Sequence, residues 1–240
     1  MNKFSIITTV FNGEKTIGKT IESVISQTYN NYEYIIVDAK SEDNTLKEIK
    51  KYDKYITKVI SEPDKSIYEG MNKGIINSTG EIIGIINSGD AYSKDALKIM
   101  NDYFKNDDLD FMFGTVLKKK ILYKYEPNKI WWSFNFYPAH SGGFFVNRRM
   151  HDELGLYDTR YKCSADYDFF YKLIVKKRKK GGITKKDELI STFDLGGYSS
   201  KLSLFEHMLE ETNIRINNGQ NKLLVLFIFV LKFFRHFSKI

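Results

Sequence analysis

Apolar positions along the chain alternate between short unbroken runs and stripes at helical spacing. Phe4 to Phe11 and Tyr32 to Asp38 are short and rich in β-branched and aromatic residues, so each predicts a strand. Lys58 to Ser61 predicts a third. Ile82 to Ile86 is an unbroken apolar run, as expected of a strand buried on both faces inside a parallel sheet. Between and after these runs the period changes. Ile17, Ile21, Val24 and Ile25 share one helix face, as do Leu46 and Ile49, then Ile67, Met71 and Ile75, then Ala96, Leu97, Met100 and Phe104. Ser41 and Asp43 stand where the second helix should be capped, and Ser93 where the fourth should be. Strand and helix in alternation predict βαβ units and a mostly parallel sheet, an α/β fold.

The second half is less regular. Leu109 to Val116 predicts a strand, and the polar stretch from Lys118 to Pro127 an edge or loop. The aromatic cluster from Trp131 to Tyr137 is read as core packing or a lid hinge rather than a sugar-stacking surface. His140 precedes two glycines, a pattern that suggests close backbone approach, and both a structural and a ligand-contacting role stay open for it. A helix is expected from Ser164 through Ile174. Asp166 and Asp168 lie about 200° apart on such a helix, so they cannot share a face. That separation argues against a glycosidase pair, which needs two carboxylates flanking one bond. Gly196-Gly197-Tyr198-Ser199-Ser200 reads as a loop able to close over an anion.

The tail changes the picture of where the protein works. Leu223 to Leu231 is wholly apolar, Lys232 interrupts, and Phe233 to Phe237 resumes. A spanning helix needs about 20 apolar residues, so a transmembrane segment is not expected. Arg215, Lys222, Lys232, Arg235 and Lys239 accompany this run, and no acid follows Glu211. Apolar bulk with cations predicts a helix lying in the interface of an anionic membrane. The alternative is a helix packed on the domain or on a second subunit. The expected organisation is one α/β domain over 1–212 and a basic apolar helical tail over 213–240.

The chain's 240 residues and 42% apolar content suit one large domain with a real core. A net charge of +7 is compatible with nucleic acid, anionic lipid or an anionic small substrate. No nucleic-acid-binding motif is visible, so nucleic acid is not expected as a partner. The basic block Lys176 to Lys180 reads either as a solvated helix end or as a membrane-facing patch. Cys163 is the single cysteine, which rules out an intrachain disulfide and fits a reducing cytosol. Met1 runs almost directly into a strand, with no signal peptide.

Candidate chemistry gathers at strand ends. Asn12, Asp38 and Asp90 each follow a predicted strand, and right-handed crossovers would bring them to one sheet edge, where α/β folds bind ligands. Neither a Gly-x-Gly-x-x-Gly fingerprint nor a Gly-Lys-Ser/Thr loop is present. A nucleotide site here would therefore use carboxylates and a metal.

In order and spacing, six motifs resemble family 2 glycosyltransferases of the GT-A fold, close to the bacterial polysaccharide, colanic-acid-type branch. They are Ile7-Thr-Thr-Val-Phe-Asn12; Val37-Asp38 with Ser41 and Asp43; Glu62 through Gly74; Asn87-Ser-Gly-Asp90; Ala165-Asp166-Tyr-Asp168; and Gly196-Gly-Tyr-Ser199. The resemblance implies inverting transfer of a sugar from a nucleoside-diphosphate sugar to an acceptor hydroxyl. UDP-hexose or UDP-N-acetylhexosamine is the default donor, and a polyprenyl-diphosphate-linked saccharide a plausible acceptor. It implies that Asp38 holds the base or ribose, with Thr9, Phe11 and Asn12 lining the same pocket. Asp64, Lys65 and Asn72 would orient the nucleotide. Asp90 would bind a divalent ion, Mg or Mn, and Asp166 would be the general base, with Asp168 as fallback. The chain departs from the family pattern in three places. Asn87 and Gly89 stand where further acids are usual, Ala165 replaces the first of an acidic pair, and Ala39-Lys40 follows Asp38. These features imply a cytoplasmic enzyme peripheral to the inner face of the membrane. The rival readings are a sugar nucleotidyltransferase, which would need a glycine-rich, arginine-bearing first loop, and a non-catalytic nucleotide-sugar-binding protein.

Overall fold

The computed structural model describes residues 1–131, 136, 141–194 and 203–236. The first half follows the predicted alternation: β1 (Phe4–Val10), α1 (Ile17–Ile25), β2 (Tyr32–Asp38), α2 (Thr45–Lys50), β3 (Lys58–Ser61), α3 (Ile67–Ile76) and β4 (Ile82–Ile85). Then come β5 (Ala91–Tyr92), α4 (Ala96–Asp107), β6 (Phe111–Phe113), β7 (Thr115–Leu117), β8 (Ile121–Leu122) and β9 (Phe144–Asn147). The chain continues through α5 (Arg149–Leu154), α6 (Ala165–Tyr171), β10 (Gly181–Ile183), β11 (Leu189–Thr192), α7 (Leu204–Asn217) and α8 (Lys222–His236).

The main sheet has the order β10-β6-β9-β4-β1-β2-β3. Its pairings are parallel except those of β9, which runs antiparallel between β4 and β6. Period-two alternation splits each central strand between two cores. Ile6, Tyr34 and Ile36 pack with α1 and α4 on one face, while Ile7, Ile35 and Val37 pack with α3 and α6 on the other. Gly84 in β4 faces Phe145 of β9, whose ring would lie 2.6 Å from a Cβ placed there. A smaller sheet, β5-β11-β7-β8, stands beside the main one.

Several expectations are corrected. The strand expected over Leu109 to Val116 breaks at Gly114 into β6 and β7, which belong to different sheets. Ser93 does not cap α4. Its hydroxyl donates to the Leu189 carbonyl and its N–H to the Ile190 carbonyl, fastening β5 to β11. Ser41 does not cap α2 but serves the first loop, as described below. Lys177 and Lys179 of the basic block pair with Glu153 of α5, which satisfies them within the fold.

The tail differs most. The 212/213 boundary falls inside α7, and the turn between the last two helices lies at 218–221. Two of the cations expected to face lipid are buried. Arg215 donates to the Tyr167 hydroxyl and the Trp131 carbonyl, and Lys232 pairs with Glu211 of α7. Phe229 and Phe233 pack edge-on against Phe205, so α8 is seated on the domain by one face. Among the described residues no helix is long and apolar enough to cross a membrane.

Candidate active site

Three loops meet beyond the carboxyl ends of β1, β2 and β4. Asn12 has φ 48°, a left-handed conformation that asparagine tolerates better than most residues. It ties the first loop to the second: its N–H donates to Ser41 Oγ at 2.8 Å and its Oδ1 accepts from the Glu42 N–H at 2.9 Å. Asp38 is fully buried, and its carboxylate accepts from the Ser41 N–H at 3.1 Å and the Ser61 hydroxyl at 2.7 Å. The structure thus uses Asp38 and Asn12 to shape the loops. Thr9 donates to Asn87 Oδ1 at 2.8 Å, and Asn87 Nδ2 reaches Ser141 Oγ at 2.9 Å. Phe11 is 62% exposed, leaving an aromatic ring open beside these loops.

The segment before α3 is mixed. Ser66 caps the helix through the Glu69 N–H, and exposed Lys65 donates its own N–H to the Glu69 carboxylate. Asp64 pairs with Lys73 at 2.5 Å and packs against Gly70, whose position leaves no room for a Cβ. Burial pushes the Asp64 pKa up, against the pull of Lys73. Asn72, expected to orient the nucleotide, is bonded to the loop ahead of α6. Its amide clamps the Tyr157 main chain at both ends, donating to the carbonyl at 2.8 Å and accepting from the N–H at 3.0 Å.

Asp90 is 4% exposed at the turn after β4. Its Oδ1 accepts the Asp194 N–H at 2.8 Å, and the Thr20 hydroxyl donates to its main-chain carbonyl at 2.7 Å. Gly89 has φ 103°, and a Cβ there would lie 3.1 Å from Asp194 Oδ2. Glycine therefore both permits the turn and lets a second carboxylate approach it. Burial drives the Asp90 pKa up to about 7; the Asp194 carboxylate adds to the rise, while its N–H, Lys19 and Lys118 oppose it. Sequence reasoning missed Asp194. The available signal was a carboxylate following Leu189-Ile-Ser-Thr192 and preceding the double-glycine loop.

A buried, strand-end carboxylate with a raised pKa and a second carboxylate beside it is chemistry that favours a cation. The residues therefore fit a divalent ion held by Asp90 with Asp194 adjacent. No group of three or more His, Cys, Asp or Glu side chains suited to a metal occurs among the described residues.

The two acids of α6 have different surroundings, as their spacing predicted. Asp166 Oδ1 accepts from the Tyr68 hydroxyl at 3.1 Å and the Tyr167 N–H at 2.9 Å. Enclosure of its carboxyl raises the pKa to about 6, against those two donors, with the Glu210 carboxylate adding to the rise. Asp168 is spent on structure, pairing with Lys172 at 2.6 Å and accepting from Asn218 at 2.7 Å. Glu210 of α7 fixes the turn into α6 by accepting from the Lys162 and Cys163 N–H groups at 2.6 and 3.0 Å. His140 and the Gly196 to Ser199 loop lie outside the described residues.

The mostly parallel sheet flanked by helices, with carboxylates past its strand ends, matches the GT-A fold of solved glycosyltransferases. Residues 5–157 match the model of glycosyl transferase family 2, and the chain belongs to that family. One relative is the Escherichia coli UDP-Glc:alpha-D-GlcNAc-diphosphoundecaprenol beta-1,3-glucosyltransferase WfgD. It is 30% identical over 111 residues, covering 46% of this chain and 44% of that protein. S. aureus TarS 1-349 in complex with UDP-GlcNAc superposes with a TM-score of 0.73 at 18% identity, over 98% of this chain and 73% of that one. The Pyrobaculum calidifontis mannosyltransferase PcManGT, in complex with GDP-Man and Mn2+, gives a TM-score of 0.70 at 14% identity, over 99% and 75%. The chain thus aligns with less than half the length of the E. coli relative.

Proposed function

We propose that this chain is a metal-assisted, inverting glycosyltransferase. It moves a hexose or N-acetylhexosamine from UDP to a hydroxyl of a polyprenyl-diphosphate-linked saccharide, at the cytoplasmic face of a membrane. The observation that carries the reading is the Asp166 carboxyl: enclosed, oriented through Oδ1 by Tyr68 and Tyr167, and raised to a pKa of about 6. In this reading the acceptor oxygen attacks the anomeric carbon from the side opposite the diphosphate. The bond to the diphosphate oxygen breaks, configuration inverts, and the acceptor proton passes to Asp166 Oδ2. A divalent ion at Asp90 and Asp194 would offset the charge developing on the leaving diphosphate. Phe11, Thr9 and Asn87 would face the nucleotide, within loops held in place by Asn12 and Asp38. The nucleotide and the lipid-linked acceptor are suggested by what the relatives carry or act on.

The test is a screen of UDP-, GDP- and dTDP-sugars with Mg²⁺ or Mn²⁺ and a polyprenyl-diphosphate disaccharide, reading nucleotide release and the anomeric configuration of the product. Expected is metal-dependent transfer from a UDP-sugar with inversion. Retained configuration would overturn the single-displacement chemistry, and release unaffected by chelation would overturn the metal assignment.

A further inference from the structure

Helix α7 grips the segment that carries Asp166 on both sides of that residue. Glu210, Ile214, Asn217 and Asn218 at the cap recur at helical spacing and form one face. Ile214 is buried in the core, and the three polar members close on 161–168. Asn217 Nδ2 donates to the Tyr161 hydroxyl at 3.1 Å, and Asn218 Nδ2 to Asp168 Oδ1 at 2.7 Å. Glu210 holds the near end with one carboxylate. Its Oε1 accepts the Lys162 N–H at 2.6 Å, and its Oε2 accepts the Cys163 N–H at 3.0 Å and the Cys163 thiol at 3.1 Å. These N–H groups precede the first helical bond of α6, from the Asp168 N–H to the Ser164 carbonyl, so the helix itself does not hold them.

We propose that Glu210 is the positioning residue of the general base, fixing the entry to α6 so that Asp166 meets the acceptor hydroxyl in one place and one orientation. The inference rests on the reading of Asp166 as that base. A carboxylate suits the task because all its lone pairs accept, and here it takes three donors at once. A glutamine in its place would turn an N–H₂ group toward one of the main-chain N–H groups. The described bonds of Glu210 reach none of the loops past β1, β2 and β4, so its loss falls on the acceptor step and spares the donor. The titratable groups that face Asp166 are Tyr68 of α3, Tyr157 and Cys163 of the segment ahead of α6, and Glu210 of α7. Of these, Glu210 supplies a negative charge, which raises the Asp166 pKa. Removing that charge and loosening the enclosure both act in the same direction, downward.

The test compares Glu210→Gln and Glu210→Asp with the full wild-type chain. Transfer is followed against pH for kcat and donor KM, and thermal melts report folding. The Asp166 carboxyl is titrated directly by carbon-13 NMR of aspartate-labelled protein, its signal assigned with Asp166→Asn. Expected of Glu210→Gln is a kcat loss of about 10- to 100-fold, with donor KM within about twofold of wild type. The acidic limb and the carboxyl midpoint should both move down by roughly half a unit. Glu210→Asp keeps the charge but shortens the reach, so it should return the midpoint toward the wild-type value while kcat stays about 10-fold low. A folded Glu210→Gln with wild-type kcat overturns the proposal, as does a midpoint that stays or rises. If Glu210→Gln does not fold, Glu210→Asp decides: a kcat loss at unchanged donor KM supports the proposal, and wild-type kcat overturns it. Full transfer by Asp166→Asn would sink the base reading and this inference with it. A wild-type-like Glu210→Gln beside an inactive Asp166→Asn overturns the inference alone.

Discussion

Replacing Tyr68 with phenylalanine should move the acidic limb of the pH–rate profile upward while leaving donor affinity alone. The Tyr68 hydroxyl donates to Asp166 Oδ1 at 3.1 Å, and the ring is buried against Tyr157. Burial raises the Asp166 pKa to about 6, with Glu210 adding to the rise and the Tyr167 N–H and Tyr68 O–H pulling down. Tyr157 and Cys163 are the other titratable groups in its field, and both are pushed up by burial, so they stay neutral. A hydrogen bond to an ionised group is worth about 1.5–3 kcal/mol, and one pKa unit is about 1.4 kcal/mol, so its loss lifts Asp166 by roughly 1–2 units, to about 7–8. A base works ionised, so activity exists above the pKa and is lost as pH falls through it. Near pH 6.5 the ionised fraction falls from about three-quarters to between about a quarter and a thirtieth, a drop of roughly 3- to 25-fold in kcat. Near pH 9 the variant should recover to within about twofold. The assay is nucleotide release against pH at saturating donor and acceptor, with donor KM measured alongside. An unmoved midpoint, whether or not the overall rate falls, would refute Tyr68 as the group that sets the base.

Asp166→Asn should lose transfer by at least about 100-fold while binding donor normally in a calorimetric titration, since a base acts on the acceptor. Asp168→Asn should instead lower stability by about 1–3 kcal/mol in urea and retain transfer; the reverse pattern would move the base to Asp168. Asp90→Asn should abolish metal-dependent donor binding yet raise the metal-free melting temperature at about pH 8. The reason is that a carboxyl raised to about 7 in the fold is costly once ionised and cost-free below its unfolded pKa. An unchanged or lower melting temperature would contradict that burial argument. Glu33 bridges the starts of β1, β2 and β4, accepting from Ser5, Thr79, Gly80 and Lys3. Burial alone would raise its pKa, but these donors bring it down to about 2. Its contribution of about 3 kcal/mol is present above about pH 4.5 and fades as pH falls toward 2, so Glu33→Gln should cost about that much at pH 7, roughly half of it at pH 3 and little below about pH 2.

The first half was legible because its strands alternate regularly with helices whose apolar stripes have a different period. β1, β2 and β3 begin where the pattern placed them, and Asn12, Asp38 and Asp90 lie in loops past the carboxyl ends of β1, β2 and β4. β5, β8, β10 and β11 are 2–4 residues long and exist only through partners distant in sequence, so no local period marks them. The break at Gly114 was hidden for the same reason: one apolar run feeds two sheets. Asp194 arrives on one of these short strands, which is why a site read from strand ends found Asp90 and missed its neighbour. Arg215 and Lys232 looked like surface charges because burial of a cation depends on a partner, and the Glu211 that receives Lys232 is 21 residues away. Asn72 misled differently. Its place in the motif gives no sign that both ends of its amide bond the Tyr157 main chain, 85 residues away.

The antiparallel strand β9 also governs how the sheet can be assembled. A chain emerging from a ribosome completes β1 to β4 well before Phe144 to Asn147 exists. Until then Ile82 to Ile85 has one side paired with β1 and the other open, an apolar β-branched edge of the kind that recruits foreign strands. β6 waits for the same partner, since it reaches the rest of the main sheet through β9 and itself carries β10 at the edge. Fragments ending before residue 144 should therefore aggregate rather than fold, however complete their nucleotide-side loops. Synthesis of this protein depends on keeping β4 shielded for the roughly 60 residues of chain that separate it from β9.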